Sequence, residues 1–391
     1  MNNSYDMVIV GGGVMGCSIQ YNLADRGMNR TLLVEKNVLG SGSTSRSQAI
    51  LRMHYSNSET AVMAWESLKV FRNFEEITGT PSGFTETGYL LAVPEHYRKP
   101  MLENLSMQQQ LGIDAVEVDF RFVEGLGLNA YPDEGEAYCW EPLSGFADPY
   151  SVTAGYADRS RTLGCDIDIG NQVKGINIDR DRVVGVKTST GDVHSDKVIV
   201  AAGPWSGILL SELGLDFGIK TVRHQVFLLD RGDQFTTSTP IIGDVNFGFS
   251  TRPDIGNVIM VGVGEDEVVG PSEYNQSVDT EMLNKTQSSL AKRIPGVLDA
   301  TFVGGWSGLF TVTPDWHPIL GEIDGIEGLY VAVGFSGHGF KLSPMIGQVM
   351  GDLVLGQTSK SIDVSSLGAH RFENGRPIRP MKSRYDMQVL A

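Results

Sequence analysis

The chain has little cysteine, little positive charge and no long apolar run, and each shortage removes a class of function. Cys17, Cys139 and Cys165 are the only cysteines among 391 residues. They are scattered, odd in number and form no CxxC pair, so neither a disulfide framework nor a metal site is implied, and a reducing compartment fits. Lys and Arg number 31 against 47 Asp and Glu, a formal net charge of −16. So acidic a surface cannot release counterions from phosphates, which excludes nucleic acid as a partner. No stretch approaches the roughly 18 consecutive apolar residues of a membrane span. No internal repeat or low-complexity tract occurs. Met1–Asp6 carries no basic side chain before the apolar run Met7–Val10, which reads as a buried strand and not a signal peptide. The expectation is a soluble, cytoplasmic protein.

Enough apolar residues are present for a sizeable core: 41% are hydrophobic and 8% aromatic, which rules out a disordered chain. The length exceeds what one core usually supports, so two domains, or one Rossmann-type domain with a large insert, are expected. Met7–Val10 (MVIV) has the all-apolar character of a parallel strand buried on both faces. Glycines follow, then a helical stretch ended by Gly27, then a second apolar strand, Thr31–Val34, closed by Glu35. That is a complete βαβ unit.

The middle of the chain changes character. Val183–Val186 and Lys197–Val200, on either side of a Thr190-Gly191-Asp192 turn, suggest hairpin strands leading to Ala201-Ala202-Gly203. From about 226 to 263, short apolar segments alternate with Gly, Pro and Asp, as in an antiparallel sheet. Leu329–Val333 then reads as another buried strand. A glycine-rich loop follows, then a helix from about Ser343 to Leu355, with Ser343 as N-cap and Pro344 in the first turn. The implied fold is α/β: a discontinuous Rossmann-type dinucleotide-binding domain (1–85, 146–222 and 318–372) with a β-rich substrate-binding domain inserted (86–145 and 223–317). Residues 373–391 are expected to form a C-terminal tail.

Gly11-x-Gly13-x-x-Gly16 lies between the first strand and its helix, with Glu35 nineteen positions beyond Gly16. Gly11 permits the tight turn, Gly13 lets the backbone approach a pyrophosphate, and Gly16 lets helix and strand pack closely. Val14 and Met15 open the helix whose positive end would face that anion. Glu35, with Lys36 beside it, would meet the ribose. A second loop, Gly334-Phe335-Ser336-Gly337-His338-Gly339-Phe340-Lys341, also sits between a buried strand and a helix. Its backbone N–H groups could face another anionic edge, which a nicotinamide-only enzyme does not need.

With Thr313-Pro314-Asp315 upstream of it, this second loop closely resembles the C-terminal signature of the D-amino-acid oxidase family, and within it the sarcosine oxidases and glycine oxidase. The resemblance implies FAD, with Gly337, His338, Gly339, Phe340 and Lys341 at the flavin. It extends to Ser43 and Thr44 as a cofactor-contacting loop, to Val173 at the adenine, and to Ala202, Gly203 and Trp205 as a third nucleotide-contacting loop. Ile50–Tyr55 resembles the segment that brings an arginine to the substrate carboxylate. On that basis Arg52 and Lys341 are the candidate carboxylate clamp, and His54 and His224 are candidates for a base. The implied reaction is oxidation of the C–N bond of a small amino acid or N-methylated amino acid, passing electrons to oxygen or another acceptor. Either a homo-oligomer or a subunit of a hetero-complex is compatible with this.

The departures from the family pattern are specific. Gly308 stands where monomeric sarcosine oxidases tether the flavin through cysteine, and Arg46 stands where dimethylglycine dehydrogenases do so through histidine. The FAD is therefore expected to be non-covalent. Ala49 replaces a basic residue of the family upstream of the carboxylate-binding arginine. After Phe249 the chain offers Arg252 and no lysine before Lys285, so slow reaction with oxygen is expected. The alternatives are a 2-hydroxy-acid dehydrogenase with a histidine base, or a flavin-bearing subunit of a larger oxidoreductase.

Overall fold

The computed structural model describes residues 3–126, 135–231, 239–357, 362–373, 375 and 377–378. The run Met7–Val10 (β1) is buried along its whole length. It pairs in parallel with Thr31–Glu35 (β2) on one side and Val198–Val200 on the other. Leu329–Val333 and Asp166–Ile169 extend the parallel array outward, and Ile319–Glu322 adds one antiparallel edge strand. Val14–Asp25 (α1) crosses one face of this six-stranded sheet, between the helices Pro149–Thr162 and Gly339–Val354. A strand with apolar side chains on both faces is stable only when both faces are covered, as here.

Two local readings are corrected. The hairpin partner of Arg182–Thr188 is Gly191–His194. Val198–Val200 instead enters the parallel sheet, because three consecutive apolar residues suit a strand buried on both faces. The last long helix begins at Gly339, with His338 as N-cap, so Pro344 lies inside it. Proline there removes one N–H that would have bonded the Phe340 carbonyl. The Ser343 hydroxyl donates to that carbonyl instead, at 2.8 Å. The serine repairs the helix rather than starting it.

The second layer is an eight-stranded sheet drawn from two separated stretches, 89–141 and 220–312. Its pairings are antiparallel except between Tyr89–Pro94 and Ile241–Asp244. A three-stranded antiparallel sheet, 173–194, lies apart from it. No helix of the described residues is long and apolar enough to cross a membrane. The expected tail, 373–391, lies almost entirely outside the described residues. Just before it, Arg371 is buried in an ion pair with Asp315 at 2.8 Å.

Buried charge also ties helix Thr280–Arg293 onto the large sheet. Arg293, 1% exposed, donates at 2.7 Å to Asp244 and with both terminal nitrogens to Glu136 at 2.7 and 2.8 Å. Removing the arginine leaves two carboxylates buried without their cation. Arg293→Met should therefore cost roughly 3–5 kcal/mol of stability. Urea unfolding measures this, and a loss under about 1 kcal/mol would show that those carboxylates are solvated or protonated at little cost.

Candidate functional site

The first βαβ unit builds a turn that only glycine can occupy. Gly11 has φ +112°, and a Cβ there would lie 2.5 Å from the Ala201 carbonyl oxygen. A Cβ on Gly16 would fall 2.0 Å from the Gly11 carbonyl oxygen, so this glycine sets how closely α1 passes the turn. Gly13 differs: a methyl there would meet only the Thr44 hydroxyl, at 3.2 Å. The space beside Gly13 is kept clear for something other than protein. The start of α1 carries no side-chain cap on Gly13 and no acidic residue in its first turn. Its positive end is thus open to an anion. The Val14 amide donates to Thr44 Oγ1 at 3.1 Å, which docks the Ser43–Thr44 segment on the helix start.

The Glu35 carboxylate closes the far side of the turn. One oxygen accepts from the Gly12 amide at 2.7 Å, the other from the Asn37 amide at 2.8 Å. It shapes the glycine loop and still faces the cavity. Lys36 Nζ sits 3.1 Å from the centre of the Trp205 ring, a cation–π contact at the cavity rim.

These elements enclose a cavity of about 400 Å³, a size usual for a ligand site. Of the expected cofactor contacts, Gly11, Gly13, Val14, Met15, Glu35, Lys36, Ser43, Thr44, Val173, Ala202, Gly203, Trp205, Gly337, Gly339 and Phe340 line it. Gly16, His338 and Lys341 do not. Gly16 works through packing, and His338 and Lys341 are buried outside the lining. Sequence reasoning missed the opposite wall, Leu309, Phe310 and Thr311, together with Ser272 and Glu212. Residues 309–311 belong to the long strand Thr301–Val312 and carry no local signature. At Gly337, φ +85°, a Cβ would press on the Phe310 ring at 2.9 Å, so the glycine loop and this strand face each other closely.

Gly308 and Arg46 are neighbours. A Cβ on Gly308 would lie 3.0 Å from Arg46 Cβ. The Arg46 guanidinium is occupied by the Tyr274 hydroxyl, by Gln276 at 2.8 Å and by the Ser307 carbonyl at 3.2 Å.

A buried polar cluster adjoins the 337–341 loop, where the Tyr55 and His338 rings meet at 5.3 Å. Arg52 is 8% exposed, donates to the His54 carbonyl, and lies over the Tyr55 ring at 4.7 Å. Lys341, 9% exposed, makes no hydrogen bond or ion pair among the described residues. Burial, reinforced by the Arg52 charge, holds it well below the usual lysine range. The His54 ring is fully buried, with Nε2 3.4 Å from Asn104, and does not line the cavity. Burial, with Arg52 adding to it, pushes its pKa down to about 3, so it is neutral at working pH. His224 does line the cavity, stacked on Phe310 at 4.4 Å, and burial holds it near 4.

The glycine cradle, the open helix end and the facing carboxylate fit a dinucleotide whose second half reaches the 337–340 loop. Comparison with known proteins identifies it. The model of the FAD dependent oxidoreductase family matches residues 6–353. The chain belongs to this family. FAD is accordingly its cofactor. The oxidoreductase is 26% identical to sarcosine oxidase subunit beta of Rhodobacter capsulatus, over 95% of this chain and 89% of that protein. It is equally identical to 4-methylaminobutanoate oxidase of Paenarthrobacter nicotinovorans over 93% of its own length, but spans only 46% of that protein. Among solved structures it superposes on L-proline dehydrogenase from P. horikoshii with a TM-score of 0.89 at 26% identity, covering 97% of this chain and all of the other.

The contrast between two glycines is testable. Gly13→Ala should leave the apoprotein folded but weaken FAD at least about tenfold, because the methyl occupies ligand space alone. Gly16→Ala should destabilise the apoprotein itself. Fluorescence titration of apoprotein with FAD, beside thermal melts without it, reads both. A Gly13→Ala protein that binds FAD like the parent would contradict the placement of the pyrophosphate.

Proposed function

We propose that this oxidoreductase oxidises the C–N bond of a small amino acid or N-methylated amino acid, giving an imine that hydrolyses. The observation that carries the reading is the pair Arg52 and Lys341: two cations buried close enough to influence each other, beside the flavin loop. In this reading both side chains bind a substrate carboxylate. The names of the relatives, which act on amino acids and methylamino acids, point the same way.

Bound FAD supplies the two-electron acceptor for a hydride leaving the substrate α-carbon. In this reading Arg52 grips the carboxylate with its planar fork and Lys341 adds a point charge. Arg52 has its orientation set by Tyr55 and the His54 carbonyl. The neutral His54 acts on the reaction only through that carbonyl and through packing. Phe310, Phe335 and Phe340 in the cavity wall exclude water from the reacting carbon, which strengthens every charge interaction beside it. The eight-stranded sheet serves as the substrate domain and the parallel sheet as the cofactor domain. The likeness to a subunit of sarcosine oxidase supports a place in a hetero-complex as one arrangement.

Losing a charge-assisted hydrogen bond in a dry site costs roughly 2–4 kcal/mol of transition-state binding, about a 30- to 1000-fold fall in kcat/KM. Lys341→Met should show such a loss on an amino-acid substrate and hardly any on its decarboxylated amine. Arg52→Lys keeps the charge without the fork and should recover only part of the activity on the acid. Equal losses on acid and amine would remove the clamp assignment.

Arg46 and Gly308 occupy both tether positions, so acid precipitation should release all yellow colour into the supernatant. Colour in the pellet would reveal a covalent bond. Among the described residues, the lysines that line the cavity are Lys36 and Lys174, next in sequence to Glu35 and Val173. The reduced enzyme should therefore reoxidise slowly in air-saturated buffer. Rapid reoxidation in a stopped-flow trace would contradict this.

A further inference from the structure

Glu141 is an unexplained group beside the clamp. It ends the strand Glu136–Glu141, is fully buried, and has no part in the reading above. Its carboxylate meets three neutral donors: the Met53 amide at 2.9 Å, Gln108 Nε2 at 2.7 Å and the Ser144 hydroxyl at 2.8 Å. Its charge reaches both Arg52 and Lys341. Burial raises its pKa while the three donors and Arg52 work against that rise. A carboxylate held this way is costly to bury, and an amide or an apolar pair could fill the space for less.

The position of the Met53 bond is informative. Met53 follows Arg52 directly, and the short strand before it, Ile50–Leu51, is only two residues long. Two residues of ladder fix the direction of the chain weakly. Beyond Leu51 the backbone needs another anchor before the Arg52 side chain can be aimed. The Glu141 carboxylate provides that anchor, and its own place is set from two further directions by Gln108 of helix Arg98–Gln110 and by Ser144. The anchor comes from the stretch that also builds the large sheet.

We propose that Glu141 is a positioning residue for the carboxylate site: by holding the Met53 amide it aims Arg52, coupling the substrate-domain strand to the clamp. The inference rests on the reading of Arg52 as a carboxylate ligand. Glu141 touches neither substrate nor FAD in this scheme, so its effect appears in binding of the acid and not in the chemistry of the amine.

The test uses the FAD-loaded enzyme and two variants. Glu141→Asp keeps the charge but is one methylene short, so it cannot hold Met53 and both side-chain donors at once. Glu141→Gln removes the charge but keeps a carbonyl oxygen for the Met53 amide. Misplacing a ligand by a fraction of an ångström to an ångström costs on the order of 10- to 100-fold. Glu141→Asp should accordingly raise KM for the amino acid about tenfold or more, with kcat changed by less than about threefold. The dissociation constant of acetate, read from perturbation of the flavin absorbance, should rise by the same factor. The decarboxylated amine should be unaffected, and Glu141→Gln should be the milder variant on all three measures. FAD content and melting temperature are recorded for each. If Glu141→Asp does not fold, Ser144→Ala, which frees one anchor of the carboxylate, should show the same acid-selective change at about two- to fivefold.

Equal effects on acid and amine, or no effect on either, would overturn the proposal. So would an acid-selective loss that is larger for Gln than for Asp, because charge and not position would then matter. Arg52→Lys measured in parallel separates the two levels. If it penalises the acid while the Glu141 variants do not, Glu141 is merely structural and the clamp stands. If Arg52→Lys also treats acid and amine alike, the clamp itself fails.

Discussion

The approach of α1 to the glycine turn is the contact on which the rest of the molecule depends. With no Cβ on Gly16, the helix lies against the Gly11 carbonyl, where any side chain would intrude to 2.0 Å. Helix α1 then meets the long C-terminal helix at an equally close point. A Cβ on Gly347 would fall 2.2 Å from the Ser18 hydroxyl, which itself donates to the Ser343 carbonyl at 2.8 Å. One helix start therefore faces the pyrophosphate region while its side fixes the helix that carries Lys341. Two helix starts, from opposite ends of the chain, are set relative to each other by the close approaches at Gly16 and Gly347. The contact at Gly16 is with backbone, and the one at Gly347 is with the Ser18 side chain, which its bond to the Ser343 carbonyl holds in place.

The two parts of the site differ in their electrostatics. The cofactor cradle uses backbone N–H groups and a helix end, which carry no net charge and cost little to bury. The proposed carboxylate site instead uses the buried basic side chains of Arg52 and Lys341, with the Glu141 carboxylate near both. Burial and the Arg52 charge hold Lys341 well below its ordinary range, and the Glu141 carboxylate works against that fall. On the proposed clamp, an acid is favoured over its decarboxylated amine through charge.

The parts legible in the sequence were those where backbone geometry demands one residue type. At Gly11, Gly16 and Gly337 a side chain would collide with the protein, whereas Gly13 and Glu35 were legible from their spacing in the motif. The illegible parts depend on pairing at long range. Leu309–Thr311 became a cavity wall only through their register in an eight-stranded sheet. Pro344 suggested a later helix start because its cost is hidden by the Ser343 hydroxyl. Glu141 sits in the run Glu136–Glu141 (EAYCWE), where a terminal glutamate reads as a solvated strand end. Its three buried donors come from residues 53, 108 and 144, and no local pattern connects them.

Anaerobic bleaching of the flavin band tests the central claim most directly. The purified holoenzyme is mixed with four compounds sharing one small carbon skeleton: an α-amino acid, its N-methyl derivative, the corresponding 2-hydroxy acid and the decarboxylated amine. The clamp and the C–N reading together predict fast bleaching by one or both amino acids, slow bleaching at best by the amine, and none by the hydroxy acid. Bleaching by the hydroxy acid alone would contradict the account. It would shift the chemistry to a C–O bond, with His224, the histidine on the cavity wall, as the base.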